Sequence, residues 1–372
     1  MIIINNFPEK LFYIFWGILM AGKGLGYTAA DAAYQYMCWV AIVFAFLKLI
    51  NTDYTRNEIW ICIFLNVLGI LIWLFSGSTT ALLTTVAITS MKNINYTIVL
   101  KIGFWIRGPM FFIRTAMALM GIIDIQKQYF FESSGNIRVR YGLGYGQPNA
   151  AHFCLFVAIV LCVLVYNYRM KLWHYVALLF YNYFIFYYTN SRTGFLMTTI
   201  FLILCWLIST NGILSRILWK GIRAMSDKAF IITTVVSFTA SVLFWKIDFL
   251  RSFGTFSSRF RTAIDVINNN NLNLFGTRGI STDLGMINFL YGDGCIFLLL
   301  FLAGYYFLLK RYSTRDNVLF MIACCCYAVY CLSEAYADSV LMNMTLLAFG
   351  YLLYPPDPIQ ERKDSGFINC RD

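Results

Sequence analysis

Three short stretches of this 372-residue chain set arginine beside glycine or hydroxylated residues at the edges of apolar segments. The first is Arg138-Val139-Arg140-Tyr141-Gly142-Leu143-Gly144-Tyr145-Gly146-Gln147-Pro148-Asn149. Its glycines permit close backbone approach, and Pro148-Asn149 suits a helix start whose free amides, together with Arg140, would meet a phosphate. Taken alone, a glycine-rich loop of this kind is structural more often than functional. The second stretch is Tyr188-Thr189-Asn190-Ser191-Arg192-Thr193-Gly194, a tight turn in which Ser191 is polar and Arg192 is the only charge. An arginine at the end of an apolar segment also snorkels to lipid head groups without doing chemistry. The third runs Ser257-Ser258-Arg259-Phe260-Arg261, then Leu274-Phe275-Gly276, then Ser281-Thr282-Asp283-Leu284-Gly285. Guanidinium forks make paired, charge-assisted bonds to a diphosphate. A carboxylate beside them can act as general base toward a sugar hydroxyl. Asp283 equally suits the cap of a following helix.

Arg107 and Arg114, seven residues apart, share a helix face. Arg114 falls near the middle of an apolar segment, where an unpaired charge costs several kcal/mol, so it must face the protein interior or a polar cavity. Glu334 and Asp338 are candidate partners, with a structural ion pair and a substrate role both open. His152 lies on the same helical face as Asn149. Two histidines without clustered Cys, Asp or Glu argue against a metal site. The 11 cysteines show no CxxC spacing and sit in apolar blocks, where they read as small buried hydrophobes.

The elements that must hold these residues follow from composition. The chain is 60% hydrophobic and 13% charged, whereas soluble domains run near 45–50% apolar and about 25% charged. That excludes an ordinary soluble enzyme and a disordered chain. The apolar residues come in continuous blocks, which excludes the alternation of a transmembrane β-barrel. An all-α polytopic membrane protein remains. About 20 apolar residues cross a bilayer as a helix, and spans are expected near 11–21, 33–50, 59–76, 78–90, 102–124, 149–167, 172–190, 194–210, 229–247, 286–309, 317–333 and 338–354. Two of these are short, giving about 10–12 transmembrane helices in one membrane domain over 1–372. Long loops are expected near 125–148 and 248–285, with the Asn268–Asn271 run as a flexible turn. Residues 1–6 lack a basic region and a small-residue cleavage site, so no removable signal peptide is expected.

The formal charge is +11. Counted by side, seventeen Lys and Arg fall on the side of both termini, ten on the other, and two within a span. The larger set belongs in the cytoplasm, which turns both long loops outward. The outward cations gather in 125–148, at Arg192 and in 246–278. Two explanations stand level: a solvated loop touching head groups, or an anionic substrate at the outer face.

The ordered motifs resemble those of the bacterial O-antigen and capsular polysaccharide repeat-unit polymerases, the Wzy type, which are distantly related to the O-antigen ligases. Arg140-Tyr141-Gly142-Leu143-Gly144-Tyr145-Gly146-Gln147-Pro148-Asn149 looks like the family's R-Y-S-L-G-F-x-x-P-N. Asn190-Ser191-Arg192-Thr193 looks like its S-R-[ST] element, and Ser258-Arg259-Phe260 with Leu274-Phe275-Gly276 looks like its S-G-R and L-F-G loop. Asp283 ahead of Gly294 looks like its D-N-x-Y-L…G span start, and Ser333-Glu334 with Asn343 looks like its late glutamate region. Gly142 stands where the family has Ser, Gln147 where His or Asn is common, Ser258 where it has Gly, and Leu284-Gly285 where an Asn is usual.

The resemblance covers about residue 96 to the end. It implies a glycosyltransferase of GT-C-like architecture with a large extracytoplasmic loop, in the bacterial cytoplasmic (inner) membrane. Such an enzyme transfers a polyprenyl-diphosphate-linked glycan onto the next lipid-linked repeat; the residues fit that chemistry without a metal or other cofactor, and inversion at the anomeric carbon is the simplest expectation. Arg140, Arg192 and Arg259 would meet the diphosphate, with Arg114 and Arg261 behind them. Asp283, then Glu334, would be the base, and Asn149 and Ser191 would line the substrate. Implied partners are the lipid-linked donor and acceptor, membrane lipid, a chain-length regulator and a flippase, with no nucleic acid. The alternatives are a lipid-linked oligosaccharide flippase or other transporter, toward which Arg107-Gly108-Pro109 leans, and an O-antigen ligase. A ligase would be expected to carry a histidine between 248 and 285, and none is there.

Overall fold

The computed structural model describes residues 6–131, 137–166, 169–210, 212–247 and 254–355. Arg251, Arg362, Lys363, Cys370 and Arg371 lie outside them, as do the side chains of Ser257 and Ser258. The chain is 74% helix and 3% strand, in keeping with an all-α membrane protein. Among the described residues, six helical runs are long and apolar enough to cross a membrane. They are α2 (Ala32–Ile50), α3 (Arg56–Ser76), α5 (Tyr96–Leu119), α6 (Pro148–Tyr166), α8 (Arg192–Ser209) and the run Ile213–Lys246. That last run comprises α9 (Ile213–Met225), a 3-10 turn and α10 (Ala229–Lys246). Helices α1 (Phe7–Gly24), α4 (Thr79–Thr89) and α7 (Leu172–Thr189) complete the first part of the chain. The described residues form two compact units: one holds 6–47 and 94–219, the other 48–93 and 220–355.

In the first unit α1 packs on α5, α5 on α6, and α6 on both α7 and α8. Helix α6 is apolar on every face and 78% buried, which makes it the helix the others surround. Phe12, Phe15 and Trp16 are fully buried on α1, and the Trp16 indole N–H donates to the Val99 carbonyl at 3.2 Å. The expected loop at 125–148 holds an antiparallel hairpin, β1 (Lys127–Phe131) and β2 (Ile137–Tyr141), with Gln128 opposite Arg140. The alternating Ile137-Arg138-Val139-Arg140-Tyr141 carries that strand signal.

In the second unit α3 packs on α4. A reciprocal cap starts α3: the Thr55 amide donates to Glu58 Oε2 at 2.6 Å and the Glu58 amide to Thr55 Oγ1 at 3.4 Å. The expected 248–285 loop contains a helix, α11 (Gly254–Asn269), so Asn268 and Asn269 end a helix rather than open a flexible turn. Phe260, Ala263 and Val266 of α11 pack on Leu284, Ile287 and Tyr291, the last two from α12 (Gly285–Gly292). Two expected spans are also corrected. The 286–309 span breaks at Asp293-Gly294 into α12 and α13 (Cys295–Arg311). After α14 (Val318–Tyr330), the 338–354 span is absent as a helix. Turns run to Asn343, followed by a 3-10 segment, Met344–Phe349, and one helical turn. Polar side chains hold that backbone: Asn343 Nδ2 donates to the Ala337 carbonyl at 2.9 Å, and the Val340 amide donates to Thr84 Oγ1 at 3.2 Å.

The break in the 286–309 segment has a specific cause. Gly294 (φ +95°) and Gly276 (φ +80°) hold left-handed conformations where two backbones cross. A Cβ on Gly276 would overlap the Gly292 carbonyl, and one on Gly294 would overlap the Leu274 carbonyl. The Thr277 amide donates to the Tyr291 carbonyl at 2.9 Å, and the Cys295 amide to the Asn273 carbonyl at 3.2 Å. The Leu274-Phe275-Gly276 motif is thus the strap that fixes the helix break.

Candidate functional site

The sequence-selected residues fall into two clusters, one in each unit. In the first unit the hairpin delivers Arg140 to the junction of α6 and α7. Its Nε donates to the Thr189 carbonyl at 2.9 Å and its Nη2 to Asn149 Oδ1 at 2.6 Å. The Phe130 ring lies 5.0 Å from the guanidinium carbon. Asn149 is therefore a positioning group for Arg140 on the first turn of α6. One helical turn further, His152 is fully buried, with Nδ1 3.1 Å from Thr189 Oγ1 and Nε2 2.8 Å from Asn182 Oδ1. Asn182 Nδ2 in turn donates to the Phe195 carbonyl at 3.2 Å.

Gly194 makes this possible: a Cβ there would stand 2.6 Å from the His152 ring. Ser191 is buried, and its amide donates to Thr189 Oγ1 at 3.4 Å. Arg192, one residue on, is exposed and makes no ion pair among the described residues. The His152–Asn182–Thr189 network went unread in the sequence, although the shared face of Asn149 and His152 was its trace.

Arg114 reaches the glycine-rich loop, donating to the Gly144 carbonyl from Nε at 2.8 Å and Nη2 at 2.6 Å; its Nη1 donates to the Leu25 carbonyl. Carbonyls, not carboxylates, are its partners, which corrects the expected pairing with Glu334 or Asp338. Arg107 sits against Cys154, with Nη2 3.6 Å from Sγ.

In the second unit α11 aims Arg259 at the segment that follows α14. Nη1 donates to the Ser333 carbonyl at 2.8 Å, and Nη2 to Glu334 Oε1 at 3.4 Å. Asp283 Oδ2 is 3.6 Å from Nε. Glu334 is 7% exposed at its side chain and Asp283 59%, so one carboxylate stands behind the guanidinium and the other faces out. The backbone keeps them together: the Gly285 amide donates to the Cys331 carbonyl at 2.8 Å. Leu284, not Asp283, caps α12, which leaves the Asp283 carboxylate free of that duty.

Arg261 lies on the opposite face of α11 from Arg259. There Arg261, Asp265 and Asn268 border an open cleft with Phe244 and Trp245. Asp293 is buried at the break between α12 and α13. No group of three His, Cys, Asp or Glu among the described residues could hold a metal ion. Compared with known proteins, the chain matches no family model, no curated protein and no solved structure.

Proposed function

We propose that this chain is a repeat-unit polymerase of the bacterial cytoplasmic membrane. On this reading it joins polyprenyl-diphosphate-linked oligosaccharides into capsular, O-antigen or exopolysaccharide chains at the outer face, with both termini in the cytoplasm and a GT-C-like architecture. The observation that carries the reading is the Arg259 cluster. An exposed carboxylate and a buried one flank a single guanidinium, and only Asp283 is placed to accept a proton from an arriving hydroxyl.

The acceptor hydroxyl gives its proton to Asp283, and its oxygen attacks the anomeric carbon of the donor. The bond from that carbon to the lipid diphosphate oxygen breaks, and the diphosphate leaves with the electron pair, inverting the centre. Arg259 carries two carboxylates, so the cluster is net negative and suits hydroxyl activation better than diphosphate binding. Arg140, Arg192 and Arg114 remain the candidates for diphosphate contacts, since guanidinium forks stabilise charge on such a leaving group. The aromatic and polar walls of the Arg261–Asp265–Asn268 cleft suit a sugar ring, which presents an apolar face and hydroxyl edges.

Separate Arg140→Ala, Arg192→Ala and Arg259→Lys variants in lipid vesicles, the last keeping the charge beside buried Glu334, are expected to lose at least tenfold in glycan elongation while remaining folded. Full elongation by all three would overturn the assignment. One observation favours a second reading. A helix broken at Asp293-Gly294, with the Asp293 carboxyl buried at the break, is the kind of device transporters use. Movement of lipid-linked glycan across the bilayer without elongation would select that reading.

A further inference from the structure

Between α8 and α10 the chain folds into a helix that has no part in the proposed chemistry. Helix α9 reads Ile213-Leu-Ser-Arg-Ile-Leu-Trp-Lys-Gly-Ile-Arg-Ala-Met225. At about 100° per residue, Arg216, Lys220 and Arg223 form one stripe. Ile213, Leu214, Ile217 and Met225 form a second arc, and Ser215 and Ile222 lie on a third side. The third side meets the protein: Ser215 is 1% exposed, and its hydroxyl donates to the Ile208 carbonyl at 2.9 Å, tying α9 to the end of α8.

The apolar arc is bare, with Ile213 79%, Ile217 61% and Met225 59% exposed. The three cations are exposed as well, and no acidic residue lies within the helix. They make no ion pair among the described residues.

This surface fits neither bulk phase. Three cations exclude burial in hydrocarbon, and a wide exposed apolar arc is costly in water. Length points the same way. The run Ile213–Lys246 has 34 residues, while about 20 cross a bilayer. Helix α10 supplies 18 of them, leaving α9 outside the hydrocarbon core. A 3-10 turn, Ser226–Lys228, marks the junction, with φ of −115° at Met225 and −101° at Lys228. Only the interface satisfies both arcs at once.

We propose that α9 lies in the plane of the membrane surface, its apolar arc among the acyl chains. Arg216, Lys220 and Arg223 bind the phosphates of anionic lipid head groups. The charge complementarity of an acid-free cationic stripe beside a bare apolar arc selects an anionic lipid surface as the occupant. The inference stands whether or not the chain is a polymerase.

The test uses the full chain in nanodiscs of phosphatidylcholine with and without phosphatidylglycerol. Each cation near a charged surface contributes roughly a fivefold preference. The Arg216→Gln/Lys220→Gln/Arg223→Gln variant is therefore expected to lose at least tenfold of the wild-type preference for phosphatidylglycerol, read by native mass spectrometry of retained lipid. The Arg216→Lys/Lys220→Arg/Arg223→Lys variant should retain it. Independently, a photo-crosslinking side chain at position 217 in the otherwise unaltered protein should capture lipid. Equal phosphatidylglycerol retention by wild type and the Gln variant would overturn the proposal. So would capture of a second copy, another protein or the chain's own C-terminal segment at position 217.

Discussion

Arg259 gives the two carboxylates beside it different consequences when changed. Glu334 is buried against the guanidinium, and removing one partner of a buried pair leaves the other charge uncompensated, at a cost of about 3–5 kcal/mol. Glu334→Ala is therefore expected to destabilise the protein by about 3 kcal/mol, seen as a lowered midpoint in detergent melting. Asp283 is mostly solvent-facing and its ion pair with Arg259 is long, so its loss changes stability by less than about 1 kcal/mol. Loss of a general base slows its step by about 100-fold or more, so Asp283→Asn should abolish most elongation with an unchanged melting midpoint. A variant that elongates normally would remove Asp283 from the chemistry. Arg259, Asp283 and Glu334 were all legible as residue types in the sequence. Their grouping was not, because the Ser333 carbonyl that anchors Arg259 lies 74 positions away and has no side-chain signature. Arg261 was read as a companion of Arg259, but two residues along a helix point to nearly opposite sides.

The elements show why some motifs were visible and their purpose was not. Gly276 and Gly294 stood out as a Leu-Phe-Gly strap and a span start, yet only the crossing of their backbones explains them. Gly276→Ala and Gly294→Ala should each cost about 2–4 kcal/mol, combining a left-handed alanine with backbone overlap. Gly221→Ala is the matched control, since nothing lies within 4 Å of its Cβ, and it is expected to be neutral or stabilising by about 1 kcal/mol. Chemical denaturation of the three variants in one detergent checks both statements, and a neutral Gly276→Ala would contradict the crossing. The hairpin at 127–141 and helix α11 were missed for a different reason. Both lie in stretches bounded by long apolar blocks, where the membrane period dominated, although the two-residue alternation around Arg140 and the Phe260–Ala263–Ile267 spacing were present. By hydropathy the final apolar block reads as a helix, because hydropathy does not register the Asn343, Thr84 and Ala337 bonds that hold its backbone in turns.

At the scale of the whole molecule, composition alone required a helical membrane protein, and the six long apolar runs agree with it. Composition was silent on how its cations are used. They serve three ends in this account: Arg140 and Arg192 for an anionic leaving group, Arg259 for two carboxylates, and Arg216, Lys220 and Arg223 for the membrane surface. The polymerase reading rests on the Arg259 cluster, and one assay addresses it directly. Purified full-length protein in lipid vesicles is given a polyprenyl-diphosphate oligosaccharide, without nucleotide, and the glycan products are sized on a gel. The account predicts a ladder whose rungs differ by one repeat unit and which vanishes in the Asp283→Asn variant; an unextended oligosaccharide, or a ladder unaffected by that substitution, would contradict it.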